Sequence, residues 1–164
     1  MIRDSRPDDA PAIAAIWNPV IRDTTITFWP TERSVDEIAA IISHRQAANR
    51  AHLVALDDAG QVIGFASYDQ FRGGLGYARS MEHTIQVARD FRGSGIGCAL
   101  MGAIERHARA RGHRVMIGAV TGTNAASIAF HARLGYSEWG RVPAAGWKFG
   151  EFHDLVLMGK DLFA

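Results

Sequence analysis

Arg92-Gly93-Ser94-Gly95-Ile96-Gly97 lies between Met81 to Val87, which alternates like a strand, and Gly95 to Arg111, which has helical periodicity. Glycines at such a junction let backbone N–H groups turn toward an anion with no Cβ in the way. The helix that follows adds unpaired N–H groups and a partial positive charge. Together they form a pyrophosphate cradle, to which Arg89 and Arg92 add charge. Three phosphate-binding patterns compete for this stretch. A P-loop requires GxxxxGK[ST], and no Lys-Ser or Lys-Thr follows these glycines. A dinucleotide fold requires GxGxxG and an acidic residue about 20 positions later. Here Cys98 takes the third small position and Arg109 to Arg114 is basic. The third pattern, [Q/R]xxGx[G/A], is met by Arg92, Gly95 and Gly97. Taken alone, the stretch also fits a glycine-rich helix start that holds no ligand.

Outward from the loop, Leu100, Met101, Ile104 and Ala108 face inward on the helix, and Gly112 ends it as a C-terminal glycine cap. Val115 to Val120 reads as a short buried strand, and Asn124 to Leu134 as a helix capped by Asn124. Tyr136 to Val142 and Phe152 to Lys160 read as the last strands. Toward the N-terminus, His52 to Leu56 and Val62 to Tyr68 form an antiparallel hairpin around Asp57-Asp58-Ala59-Gly60. The glycine-rich stretch Phe71 to Gly76 reads as a flexible loop. Ser34-Val35-Asp36-Glu37 is a capping box that opens a helix buried through Ile38, Ile41 and Ile42. An earlier helix starts at Asp8, Asp9 and Pro11 and turns Ile13, Ile16, Trp17, Val20 and Ile21 to the core. Phe28-Trp29-Pro30 between these helices is either a plug over the core or one wall of a pocket. Ile2 to Arg6 can start the sheet. The order is strand, two helices, three strands, helix, strand, helix, two strands. That is mixed α/β, antiparallel in its first half and βαβ-like in its second.

The chain has 164 residues, 48% hydrophobic, and no linker or repeat divides it, so one domain over 1–164 is expected. A formal charge of +1 with scattered arginines argues against nucleic acid as a partner. One cysteine, Cys98, excludes an internal disulfide. The start Met1-Ile2-Arg3-Asp4 has no apolar signal core, and no run is long enough to span a bilayer, so a cytoplasmic location is expected. The seven histidines show no metal-ligand spacing, and no metal is expected.

With the glycine loop, Asn124 to Tyr136 carries a second pattern, an Asn followed by a closing Leu134-Gly135-Tyr136. In both patterns the chain resembles the GNAT superfamily of N-acetyltransferases from Ile2 to about Lys160. Within it, four stretches resemble the phosphinothricin and methionine sulfoximine/sulfone N-acetyltransferases. They are Glu82-His83-Thr84-Ile85, His131 before Leu134-Gly135-Tyr136, Ala144 to Lys148, and His153-Asp154. The resemblance implies a mostly antiparallel sheet splayed by a bulge between its fourth and fifth strands, flanked by helices. It implies acetyl-CoA as co-substrate, its pyrophosphate on Arg92, Gly93, Ser94, Gly95, Ile96 and Gly97. Its pantetheine arm would lie along Thr84, Ile85, Gln86 and Val87, near Asn124, Ser127 and Phe130. Gln86 departs from the aromatic that many relatives carry, and alternation turns it from the coenzyme. A homodimer is also implied, with Trp139, Trp147 and Phe149 as interface or core material.

The implied reaction is acetyl transfer to the primary amine of a small amino-acid-like molecule. The amine must be neutral before it attacks, so a base is required, and Glu82 is the expected one. A backbone N–H near Thr84 or Ile85 is expected to stabilise the thioester oxygen. His131 stands where many relatives carry the Tyr that protonates the leaving thiolate; packing beside the helix is the alternative. His153 is a third catalytic candidate, as base or orienting group. Phe28, Arg72, Gly73, Arg79, Ser80, Met81 and Lys148 are expected around the acceptor, with Arg72 or Arg79 on its acidic end. Cys98 packs under the loop in one reading and carries an acetyl group in another. Other amines as acceptors, and a coenzyme-binding module without turnover, remain alternatives.

Overall fold

The computed structural model describes all 164 residues. Its strands are β1 (Ile2–Asp4), β2 (His52–Leu56), β3 (Val62–Gln70), β4 (Ser80–Val87), β5 (Val115–Thr121), β6 (Ser137–Lys148) and β7 (Glu151–Asp161). Its helices are α1 (Ala10–Asp23), α2 (Val35–Ala47), α3 (Ile96–Ala110) and α4 (Ala125–Arg133). The order of elements matches the reading from the sequence, and β6 and β7 run longer than expected. The sheet has seven strands in the order β1-β2-β3-β4-β5-β7-β6, and only β4 and β5 pair in parallel.

Side-chain alternation on the central strands decides which helix covers which face. Val54 and Phe65 pack with Ile13, Ile38 and Ile42 under α1 and α2. Leu53, Ala66, Tyr68 and Met81 point the other way, into the core with Leu100, Met101, Ile104 and Ala108 of α3. Ile128 and Phe130 of α4, and Leu134 just after it, lean on that same core. The capping box forms as read: Glu37 N donates to Ser34 Oγ (3.2 Å) and Ser34 N to Glu37 Oε2 (2.7 Å). Asp9 does more than suit a helix start. It is buried, it pairs with Arg3 at 2.7 Å, and it accepts from Arg6 N at 2.7 Å, which ties β1 to α1.

The functional feature of the sheet is a parting. β4 pairs with β5 only over Ser80↔Val115, Met81↔Met116 and Glu82↔Ile117. From His83 onward β4 has no partner on that side. The expected bulge on β4 is not what opens the gap. The β3–β4 ladder keeps one register from Gln70↔Met81 to Gly64↔Val87. β5 instead leaves with β7, to which it stays paired through Thr121↔Leu155.

Candidate active site

Two cavities meet where β4 and β5 part. One, of about 460 Å³, lies on the α1–α2 face and is lined by Glu82, Thr84, Phe28, Trp29, Arg33 and Arg45, among others. The other, of about 330 Å³, runs toward the glycine loop past Val87, Arg92, Gly93, Gly97 and Phe130. Ile26, Ile85, Gln86, Asn124 and Ser127 border both, so the two are halves of one cleft. Gln86 leaves β4 on the same side as Glu82 and Thr84 and lines both halves at their junction, so, contrary to expectation, it is not turned away from the half that runs to the glycine loop.

The far half ends in a cradle. Gly93 and Gly95 take φ of +80° and +86°, which side chains rarely adopt, and nothing lies within 4 Å of where a Cβ would be. The amides of residues 93 to 98 find no acceptor in the protein; the first helical bond is Ala99 N to Gly95 O, 3.0 Å. A run of bare amides at the start of a 15-residue helix is suited to an anion. Ser94 Oγ donates to Phe91 O (2.5 Å) and Arg92 Nε to Val87 O (3.2 Å), which fixes the turn. The residues present therefore fit a diphosphate. Asn124 caps α4 by accepting from Ser127 N (3.1 Å), which leaves its amide NH2 free at the junction. Cys98 is exposed and lines neither cavity, which removes both of its readings.

Glu82 is half-buried and has no hydrogen-bond or ion-pair partner; burial raises its carboxyl above the ordinary value. Asp69 stands directly opposite on β3. Arg45 and Arg50 both hold Asp69, so neither guanidinium pairs with Glu82. An unpaired, partly desolvated carboxylate is a better proton acceptor than a salt-bridged one.

His131 is buried beside His83, with Nε2 to Nε2 at 3.1 Å and rings stacked at 5.0 Å. Its Nδ1 lies 2.7 Å from Ser127 O, which can only accept, so that nitrogen carries the hydrogen. His131 Nε2 then accepts from His83 Nε2–H, and the bare His83 Nδ1 has no partner. Both imidazoles are pushed down by burial, His83 to about 3. His131 touches the cleft, but it has no N–H free to give. The expected proton donor to the thiolate is corrected to a packed, neutral histidine.

Other expected acceptor residues lie elsewhere. Met81 is fully buried against α3, because alternation turns it away from Glu82. Ser80 is engaged at the start of the parallel pairing. Arg79 donates to Gly112 O (3.0 Å) and Arg111 O (3.4 Å), closing the C-terminus of α3. Arg72 and Gly73 sit on the exposed loop, with the Arg72 guanidinium 5.4 Å from the Tyr77 ring centroid. Lys148 is buried and donates to Ile21 O and, at 2.8 Å, to Thr27 O. His153 stacks on Phe28 at 5.8 Å and donates to Lys148 O at 3.2 Å. A Cβ on Gly146 would meet the Phe28 ring at 2.4 Å. Gly146, Lys148 and His153 thus seat Phe28 as the cleft wall from behind and do not line the cleft themselves.

A cleft opened by diverging parallel strands, with an anion cradle at one end and a lone carboxylate at the other, defines an acyltransferase that takes its acyl group from a phosphate-bearing carrier. The chain belongs to the acetyltransferase (GNAT) family, whose model matches residues 17–136, and it is an N-acetyltransferase. It is 39% identical over 98% of its length to an L-methionine sulfoximine/L-methionine sulfone acetyltransferase of Pseudomonas aeruginosa, covering 94% of that protein. It superposes with a TM-score of 0.93 on a phosphinothricin acetyltransferase from Sinorhizobium meliloti in complex with acetyl-CoA. Identity there is 32%, over 98% of this chain and 87% of the other. A ribosomal-protein-alanine N-acetyltransferase from Brucella melitensis gives a TM-score of 0.94 and 35% identity, over 98% and 99% of the two chains.

Proposed function

We propose that this enzyme transfers the acetyl group of acetyl-CoA directly to the α-amine of a small amino-acid-like molecule such as methionine sulfone, methionine sulfoximine or phosphinothricin. The observation that carries the reading is the bounded cavity beside Glu82, walled by Phe28, Trp29 and Trp17. Its size suits a molecule of amino-acid dimensions. The likeness to the Pseudomonas aeruginosa enzyme supports the same class of acceptor.

When bound, acetyl-CoA supplies the acetyl thioester. The amides of residues 93 to 98 hold its diphosphate, and Asn124 with Ser127 borders the arm that runs toward β4. Glu82 takes a proton from the acceptor ammonium, directly or through a water, and leaves a free lone pair on nitrogen. Beyond Glu82 the β4 edge facing the gap is unpaired, and because the β3 ladder takes the backbone of residues 80, 84 and 88, it is the Ile85 amide that faces the gap, free to donate to the carbonyl oxygen under attack. The β6–β7 hairpin exposes Trp139, Trp147, Phe149 and Phe152, each at least half accessible, with Trp147 and Phe152 paired at 4.6 Å. A second copy covering this face gives a homodimer. No helix is long and apolar enough to cross a membrane, in keeping with an enzyme working where cytoplasmic acetyl-CoA is available.

The test is thiol release from acetyl-CoA across methionine sulfone, methionine sulfoximine, phosphinothricin, polyamines and an alanine-starting peptide. The amino-acid analogues are expected to lead by kcat/KM. Preference for the peptide would move the enzyme to the protein N-terminal class that the Brucella melitensis likeness represents. Coenzyme binding without thiol release on any amine would make it a module without turnover.

A further inference from the structure

Two arginines line the cavity that contains Glu82. Arg45 is paired with Asp69. Arg33 is different. Its guanidinium carbon lies 4.9 Å from the Trp17 ring centroid and 4.9 Å from that of Trp29. None of its side-chain nitrogens has an acceptor in the protein, and its Nε is buried without a partner. Only the Arg33 backbone is hydrogen-bonded. Its N donates to Asn18 Oδ1 and its O accepts from Asn18 Nδ2, both at 2.9 Å, which fixes the residue just ahead of the α2 cap. The neighbouring carboxylate, Glu32, faces Arg22 at 3.4 Å. Glu82 is the only acid lining the cavity.

A guanidinium has five donors in a rigid planar fork, and withdrawing them from water without an acceptor is unfavourable. Aromatic faces hold such a cation by its π surface and leave its N–H edge available. That edge matches a carboxylate or phosphinate, which accepts two parallel hydrogen bonds. We infer that Arg33 is the receptor for an acidic group of the acceptor, gripping it by the guanidinium edge within the cavity that holds Glu82. The inference rests on the amino-acid-like acceptor proposed above and names the residue that selects it. The cavity is then bipolar: Glu82 receives the ammonium end and Arg33 the anionic end. Trp17 and Trp29 fix the guanidinium plane, so little side-chain freedom is lost when the acid docks. Arg33 takes over the role expected of Arg72, which sits on the exposed loop outside the cavity, or of Arg79, which donates to backbone carbonyls.

The experiment compares wild type, Arg33→Met and Arg33→Lys on three acceptors. Methionine sulfone carries a carboxylate as its only acid. Its decarboxylated amine carries none. Decarboxylated phosphinothricin carries only the phosphinate. Arg33→Met is expected to raise KM for methionine sulfone about ten- to hundredfold, the loss of a charge-assisted pair. KM for acetyl-CoA and kcat/KM for the acid-free amine are expected to stay unchanged, with partial recovery in Arg33→Lys. A rise confined to decarboxylated phosphinothricin would identify the phosphinate as the bound group and support the same role. Equal losses on acceptors with and without an acid group would overturn the assignment and leave Arg33 as packing for the tryptophans. So would an unchanged KM throughout. Wild-type turnover of the acid-free amine but of no amino acid would overturn both this inference and the proposed acceptor. Turnover of amino acids with normal Arg33→Met kinetics would overturn this inference alone.

Discussion

Lowering the pH from about 7.5 to about 5 protonates the histidines of the unfolded chain but not those buried in the fold. Burial holds His83 at about 3 and His52 at about 4, against an ordinary value of 6.5. A depressed folded-state value means the stability is complete above 6.5 and is lost as pH falls from there toward 4 and 3. At about pH 5 each of these histidines withdraws about 2 kcal/mol, because the unfolded chain binds a proton that the folded one refuses. His107, His113 and His131 are pushed down as well and act in the same direction. Glu82 opposes them, since acidification relieves the burial of its charge. The carboxylates held below their ordinary value, Asp9 and Asp161 among them, start to matter only at lower pH. The pair His52 and His83 thus accounts for about 4 kcal/mol, a large share of an ordinary domain's stability. Urea unfolding followed by far-UV circular dichroism is expected to show the midpoint falling by roughly 2 M between the two pH values. His52→Gln is expected to return about half of that difference. Equal midpoints at the two pH values would refute the claim that these imidazoles are neutral in the fold.

Glu82→Gln is expected to cut kcat by about a hundred- to ten-thousandfold while leaving acetyl-CoA affinity, read by calorimetry, in place. Because burial raises the Glu82 carboxyl, the acidic limb of the wild-type kcat/KM profile is expected above the ordinary carboxylate range, and Glu82→Gln should lack it. A Cβ at Gly118 would lie 2.6 Å from His83 Nε2 and 2.8 Å from His131 Nε2. Gly118→Ala is therefore expected to part the imidazoles and lower stability by about 1–3 kcal/mol in the same urea assay. Lys148→Met leaves the Ile21 and Thr27 carbonyls without their donor, so the Phe28 wall is expected to loosen. Acceptor KM should rise severalfold with acetyl-CoA KM unchanged, and equal rises in both would count against a wall role.

Much of the fold and half of the cleft were legible because they rest on local rules. The Ser34 capping box, the Asn124 cap and the positive-φ glycines of the coenzyme loop each act over a few residues, and each formed as read. Alternation alone also separates Glu82, Thr84 and Gln86 from Met81, so the expectation of Met81 around the acceptor conflicts with a rule already in use. The errors came from assigning roles by residue type. Arg79 and Lys148 are cations near the site in sequence, but their partners are backbone carbonyls supplied by the turn that ends α3 and by α1 with the loop after it. Those distant partners leave no mark in local sequence.

Arg45 shows how a missed residue can still be signalled. On α2 the apolar stripe runs Ile38, Ile41, Ile42, and its next helical position is Arg45. A cation on the buried stripe of a short helix must find a carboxylate or a cavity, and Arg45 finds both in Asp69 and the acceptor pocket. Arg33 has no such periodic signal, because it precedes the helix and reads as a solvated charge beside a cap. Its place depends on Trp17 from α1 and Trp29 from the connecting loop closing over it from two directions. The cradle at the far end of the cleft is thus written in one contiguous loop and helix start. The half beside Glu82 is assembled from α1, the loop after it, α2, α4 and four strands, so substrate choice can change through single side chains there while the sheet and the cradle stay as they are.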